Sequence, residues 1–180
     1  PLLQTEDASL GHVVGGRKLT EMPLNGRNVF GLVSLVPGVV PGGQSGTTPT
    51  GTNPFAWGNY QIGGGQANQS AAFIDGGPIN ASYVNLTALV PTQDAIQEFR
   101  VQTNNLGPEF GRLAGGAVNL TTKSGTNTFK GSGFEIHTNQ ALNADSFSFA
   151  GTPTPPEDIM RNIFGGTTGG PIIRNRLFFF

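Results

Sequence analysis

Hydrophobic positions are spaced differently on the two sides of residue 125, and this difference predicts two regions. In the first region, residues 27–36 have helical spacing, because apolar residues recur at Val29, Phe30, Leu32, Val33 and Val36. Asn25 or Asn28 is placed to cap the start of this helix, and the Pro-Gly pair that follows ends it. The pattern therefore predicts a short amphipathic helix.

The rest of the first region carries strand signals that are separated by turn residues. Strands are predicted at four places: 60–62, 71–74, 99–103 and 117–122. Asp75-Gly76 is a turn dipeptide, and 91–96 is expected to form one helical turn capped by Thr92. Residues 1–125 are therefore predicted to be a small α+β domain with a mixed sheet and short helices. Its predicted core consists of Phe30, Val33, Ile74, Ile96, Phe99, Val101, Val118 and Leu120.

A long segment rich in Pro, Gly, Ser and Thr interrupts this domain at 39–59. It lacks apolar periodicity, so it is predicted to be an exposed loop. Phe55, Trp57 and Tyr60 lie at its far end and are the candidates for contact with a bound substrate, because exposed aromatic rings are efficient anchors. The alternative is that these rings pack onto the domain.

Beyond residue 125 the pattern is that of extended strands. Residues 129–138 alternate, which places Phe134 and Ile136 on one face and Glu135 and His137 on the other. A second strand is expected at 163–173, broken at its Gly-Gly-Pro sequence, and a third at 177–180. Residues 126–180 are therefore predicted to begin an antiparallel sheet whose remaining strands lie outside this chain.

Composition and charge exclude several classes of function. The chain has 28 Gly and 13 Pro, and its charged fraction of 12% is about half the usual ~25%. With a net charge of −1 and scattered Lys and Arg, no basic stripe is available for nucleic acid. Cysteine is absent, so disulfides, thiol nucleophiles and Cys-based metal sites are excluded. No cluster of metal ligands and no cofactor motif is evident, and no cofactor is expected.

The search for catalytic residues also ends empty. The two histidines, His12 and His137, lie in ordinary strand or loop contexts, and no nucleophile elbow accompanies them. Asp75 could pair with Glu98 or Glu109 as two carboxylates. An Asp that precedes Gly is far more often a turn former, and we do not expect an enzyme.

Several motifs follow one another in a characteristic order along the chain. They are MPLNGRN at 22–28, FIDG at 73–76, DAIQEFRVQT at 94–103, EFGR at 109–112, GGAVN at 115–119, TKSGTN at 122–127, FGG to GGPI at 164–172 and FFF at 178–180. Their order resembles that of TonB-dependent outer-membrane receptors, in particular the Oar-like group. The resemblance implies that 1–125 is the plug domain and that 126–180 begins the transmembrane β-barrel.

The resemblance further implies a function in energised transport across the outer membrane. The plug would lie inside the barrel lumen, with the rest of its own barrel, a TonB-type protein and a transported ligand as partners. It implies that Glu135 and His137 face the lumen and that Phe134 and Ile136 face lipid. Ile62-Gly63-Gly64 departs from the Ile-Arg-Gly of many plugs, no TonB-binding segment is evident, and the chain is expected to be cut at both ends. The alternative function is that of a secreted or surface-attached β-rich adhesin or glycan-binding module.

Overall fold

The structure is a computed structural model that describes residues 10–22, 24, 27–41, 60–66, 69–82, 85–108, 110–111, 113–142 and 160–180. The chain divides into two compact units, Pro1–Lys123 and Ser124–Phe180. No helix among the described residues is long and apolar enough to cross a membrane.

The described residues of the first unit form nine strands and three short helices. In chain order they are β1 Leu10–Gly15, α1 Gly16–Glu21, a 3₁₀ helix Val29–Leu35, β2 Val39–Pro41, β3 Tyr60–Ile62, β4 Ala71–Ile74, β5 Gly77–Pro78, β6 Asn80–Ala81, β7 Leu86–Thr87, a 3₁₀ helix Gln93–Ala95, β8 Ile96–Asn104 and β9 Ala117–Thr122. Five of these strands form one sheet in the order β1-β8-β9-β4-β5. Its pairs are antiparallel except β4 with β9, so the sheet is mixed. The pairs β2-β3 and β6-β7 form two small separate ladders.

The core of the first unit lies between this sheet and the 3₁₀ helix Val29–Leu35. Seven of the eight predicted core residues are buried, and Phe99, Val101 and Val33 are fully so. Ile74 is only half-buried, because it lies at the end of β4 beside the hairpin turn, and it packs against the edge of the core. Leu19, which the sequence pattern did not single out, is also fully buried.

The turn at Asp75-Gly76 is confirmed. Both residues have positive φ, 48° and 84°, and Ile74 pairs with Gly77 across them. Two consecutive positive φ values are what a two-residue hairpin turn of type I′ requires, and Asp-Gly accepts them readily.

Three expectations for the first unit need correction. The helix over 27–36 is a 3₁₀ helix, and Asn28 is its cap, with Oδ1 accepting from the Phe30 N–H at 2.8 Å. The expected loop 39–59 begins as strand β2, which pairs with β3, while 42–59 lies outside the described residues. Thr92 has the N-cap position of the turn Gln93–Ala95, but its side chain makes no capping hydrogen bond. Its backbone instead bridges to Asn28.

In the second unit, the described residues form a three-stranded antiparallel meander. Its strands are β10 Lys130–Asn139, β11 Met160–Ile173 and β12 Leu177–Phe179, with a 3₁₀ turn Gln140–Leu142 after β10. The expected break at Gly169-Gly170-Pro171 is wrong, because β11 runs through it and shifts register only between Pro171 and Ile173. The glycines of β11 accommodate aromatic rings from neighbouring strands: Phe134 lies over Gly165, and Phe129 lies over Gly170.

Candidate functional site

The three predicted substrate-contact residues have different outcomes. Phe55 and Trp57 lie outside the described residues, so their contact with a substrate remains a prediction. Tyr60 is on β3 with 7% of its surface exposed, and this burial raises the pKa of its phenol to about 12. Tyr60 thus packs into the domain, as the alternative interpretation proposed for these rings.

Tyr60 lies beside a crevice whose polar side chains are linked by hydrogen bonds. Asn80 Oδ1 accepts from the Ala72 N–H at 2.7 Å, and its Nδ2 donates to the Asn85 carbonyl at 3.0 Å. Ser70 Oγ donates to the Tyr60 carbonyl at 2.8 Å. The two-residue strands of the β6-β7 hairpin make few ladder bonds. The hairpin is joined to β4 by the Asn80 amide and by the backbone bond from the Ile79 N–H to the Ala72 carbonyl at 2.9 Å.

A second polar cluster lies at the turn that precedes β8, residues 92–95, which we call the junction turn. Gln93 and Asp94 are 1% and 4% exposed, which is rare for such polar side chains unless they are bonded. The Gln93 amide Nε2 donates to the carbonyls of Leu19 and Met22, the latter at 3.0 Å. These two carbonyls lie at the C-terminal end of α1, where the last carbonyls of a helix lack N–H donors from the helix itself.

Asp94 forms an ion pair with Arg27, 67 residues away in sequence. Arg27 Nε donates to Asp94 Oδ2 at 3.1 Å, Nη2 contacts the same oxygen, and the side chains are 15% and 6% exposed. Arg27 has φ of +55°, a left-handed conformation that costs a residue with a side chain about 1–2 kcal/mol. A strained backbone and a buried charge pair therefore coincide at one residue.

The junction turn also contacts the last strand of the first unit. The Ala95 carbonyl accepts from the Lys123 N–H at 2.8 Å, directly after β9. Next to it, Asp75 accepts from the Thr122 N–H at 2.9 Å and from Thr122 Oγ1 at 2.7 Å. These bonds from Thr122 lower the pKa of the Asp75 carboxyl. The end of β9 is thus bonded at two adjacent residues by two different turns.

Sequence reasoning did not identify this cluster. The sequence places Asp94 in a predicted helical turn and Arg27 in the motif at 22–28, and it predicts no contact between them. Periodicity reports local structure, so it carries no signal for a contact between residues 67 positions apart. The one available hint was a Gln-Asp pair in a predicted turn between apolar residues.

The two faces of the β10-β11 ladder each mix polar and apolar side chains. Because directly paired residues share a face, Glu135 lies beside Phe164 and His137 beside Asn162, while Thr138 lies beside Arg161 on the face of Phe134 and Ile136. His137 Nδ1 is hydrogen-bonded to Asn162 Oδ1. The assignment of one face to the lumen and the other to lipid therefore remains a prediction.

Among the described residues, no group of three or more His, Asp or Glu side chains is arranged to hold a metal ion. The two polar clusters described above are contacts between segments of the chain itself.

Comparison with known proteins identifies the class of protein first. Residues 121–180 match the family described as "Outer membrane beta barrel domain". This match covers the whole β10-β12 meander and places the protein in the outer membrane.

The family follows from the remaining similarities. Over 128 residues, 68% of this chain, the sequence is 32% identical to the TonB-dependent transporter Oar of Myxococcus xanthus, of which it covers 12%. The fold is similar to that of the siderophore receptor PirA from Acinetobacter baumannii, with a TM-score of 0.65 and 22% identity over 93% of this chain and 23% of PirA. The ferric citrate transporter FecA is similar with a TM-score of 0.61 and 18% identity, over 93% of this chain and 24% of FecA. The chain belongs to the TonB-dependent outer-membrane receptors and spans between a tenth and a quarter of the length of these relatives.

Proposed function

We propose that the first unit is the plug of a TonB-dependent receptor, which gates the energised transport of a substrate across the outer membrane. The second unit would supply the first strands of the surrounding transmembrane barrel. The observation that carries this proposal is the order of the two units: a domain with its own core leads directly into a meander that matches outer-membrane barrels.

The surface chemistry of the first unit supports a plug. A plug has to fill a polar, water-lined lumen and to separate from it again, which favours a surface with few charges and many short loops. The chain has 12% charged residues, and its main sheet is flanked by two-stranded ladders of two or three residues. Similarity to receptors and transporters favours this function over that of an adhesin or glycan-binding module.

The partners proposed for the protein follow from the same family. They are the rest of its own barrel, a TonB-type protein that supplies energy, and a transported ligand whose chemistry this chain does not specify. Phe55 and Trp57 stay the proposed residues for ligand contact, whereas the buried ring of Tyr60 supports a structural function for that residue.

The gate can be tested without knowledge of the ligand. The complete receptor that carries this chain is produced in a Gram-negative host, with and without residues 10–122, and the probe is vancomycin, which is too large for general porins. Loss of the first unit is expected to increase killing by vancomycin at equal amounts of receptor in the outer membrane. Equal resistance of the two strains would contradict a gating function for the first unit.

A further inference from the structure

The junction turn joins three parts of the first unit that are far apart in sequence. Gln93 bonds the end of α1, Asp94 bonds Arg27, and the Ala95 carbonyl bonds the Lys123 N–H. Three consecutive residues thus hold the N-terminal segment, 10–27, on one side and the end of β9 on the other. We propose that the junction turn couples these two sites, so that release of the N-terminal segment also frees the chain at Lys123.

The turn cannot maintain its own geometry. The 3₁₀ helix Gln93–Ala95 has only three residues, and Thr92 adds no side-chain cap. Such a short helix is unstable by itself, so its conformation depends on the contacts that its side chains make. The side chains of Gln93 and Asp94 bond the N-terminal segment, and the backbone of Thr92 bridges to Asn28.

Release of the segment would force the turn to rearrange. Without Leu19, Met22 and Arg27, the buried amide of Gln93 and carboxylate of Asp94 would lose these partners. Buried polar groups without partners are unfavourable, so both side chains would rotate towards water and move the backbone that carries them. The Ala95 carbonyl follows Asp94 directly in the chain, and its bond to Lys123 would open.

The N-terminal segment is suited to separate release. Strand β1 lies at the edge of the sheet and pairs only with β8 within the described residues. Helix α1 has six residues, fewer than an isolated helix needs for stability. Leu19 and Val14 of the segment are buried, and Met22 and Leu24 pack partly buried against the core. The other contacts are the ladder of β1 with β8 and the polar bonds to the junction turn, and Arg27 has a left-handed conformation. Strain of this kind persists only where surrounding contacts impose it.

The neighbouring residue Thr122 provides an internal reference. Thr122 pairs with Ile96 in the β8-β9 ladder, but its N–H donates to Asp75 in the β4-β5 turn, which makes no contact with Gln93 or Asp94 through the bonds described above. Coupling through the junction turn should therefore affect the Lys123 amide and spare the Thr122 amide. A general loss of stability would affect both amides to the same degree.

The test is hydrogen exchange, resolved to single amides, on the complete receptor in outer-membrane vesicles. Asp94→Asn is compared with Glu98→Gln, which makes the same chemical change on an exposed residue four positions away. In Asp94→Asn, exchange of the β1 and α1 amides and of Lys123 is expected to rise about tenfold or more, as local opening does when a segment loses its contacts. Exchange at Thr122 and in β4 should stay unchanged, and Glu98→Gln should match the wild type.

A second variant keeps the test decisive if Asp94→Asn does not assemble. Gln93→Ala leaves the ion pair intact and no charge unpaired, and its matched control is Gln97→Ala on the exposed side of β8. The same pattern of exchange is expected for Gln93→Ala. Equally faster hydrogen exchange at Thr122 and Lys123 would overturn the coupling. Faster exchange in β1 and α1 without a change at Lys123 would also overturn it, as would unchanged exchange at all of these amides.

The biological meaning of this coupling rests on the proposed plug function, but the exchange measurement does not. If vancomycin entry shows no gating while Lys123 responds as expected, the plug proposal fails and the coupling stands. If gating is present and Lys123 does not respond, the coupling fails and the plug proposal stands.

Discussion

The two units differ in where they place their apolar side chains. In the first unit, fifteen buried apolar residues form one cluster between a mixed sheet and a 3₁₀ helix. In the second unit, no apolar side chain with described surroundings is buried, and large residues such as Phe129, Met160 and Phe164 are more than 70% exposed. The first unit therefore contains the partners for its own hydrophobic surface, whereas the second needs lipid, further strands or another surface to cover it.

The largest expected effect comes from matched deletions of one ring in each unit. Phe99→Ala removes a fully buried ring from the core and is expected to lower the free energy of unfolding by about 3–5 kcal/mol. Phe164→Ala removes a ring that is 79% exposed and should change it by less than about 0.5 kcal/mol. Urea unfolding of the 180-residue chain, followed by circular dichroism, measures both. Similar decreases in the free energy of unfolding for the two variants would show that the contrast between the units is wrong.

Glycines provide a second matched pair. A Cβ at Gly116 would meet the Ile62 side chain and lie 2.5 Å from the Gln102 carbonyl oxygen, so Gly116→Ala should cost about 1–3 kcal/mol through overpacking. A Cβ at Gly133 meets nothing within 4 Å, and Gly133→Ala in β10 should be tolerated. Thermal unfolding of the two variants gives the comparison, and a tolerated Gly116→Ala would mean that the Ile62 side chain of β3 does not lie against Gly116.

Two asparagine caps extend the comparison to smaller effects. Asn28 caps the buried 3₁₀ helix of the first unit, and Asn139 makes the equivalent bond to the Ala141 N–H at 3.0 Å on the exposed turn of the second. Asn28→Ala is expected to cost about 1–2 kcal/mol, since it removes a cap inside the core. Asn139→Ala should have little effect on the midpoint of urea unfolding. A larger loss of stability for Asn139→Ala than for Asn28→Ala would contradict this contrast between the two units.

The smallest expected effect is a change in stability at acidic pH through the carboxyl of Asp75. Because hydrogen bonds from Thr122 lower the pKa of Asp75 in the folded state, its ionised form contributes stability above the unfolded pKa of about 3.9. That contribution is lost as pH falls through the lower, folded pKa, and it is absent in Asp75→Asn. The difference in urea midpoint between wild type and Asp75→Asn should therefore be constant near neutral pH and shrink below about pH 4. A difference that does not change with pH would show that the carboxylate contributes nothing.

The sequence predicted the elements whose signal is local. Strands β4 and β9 were predicted at their observed bounds, and the Asp-Gly turn and the Asn28 cap were also correct, because turn chemistry and alternation act within a few residues. The sequence pattern does not predict strand β1 or helix α1. Strand β1 depends on its pairing with β8, and the end of α1 depends on hydrogen bonds from Gln93. The break expected at Pro171 was wrong because a register shift accommodates this residue within β11.

The candidate site was less accessible to sequence reasoning than the fold. The aromatic residues near 55–60 were chosen for their chemistry, and Tyr60 proved to be part of the core. Arg27, Gln93 and Asp94 form a cluster only because the tertiary fold brings Leu19, Met22 and Arg27 onto the turn before β8. Composition does not encode that proximity.

We expect the first unit to fold by itself and the second to complete its structure only within a larger barrel. Hydrogen exchange on the isolated 180-residue chain in water tests this expectation most directly. We expect protection of amides in β8 and β9, together with frayed or intermolecularly paired strands β10 to β12, because an open three-stranded sheet leaves unpaired edges. A soluble monomer whose last 50 or so residues form a closed, protected sheet would contradict the account.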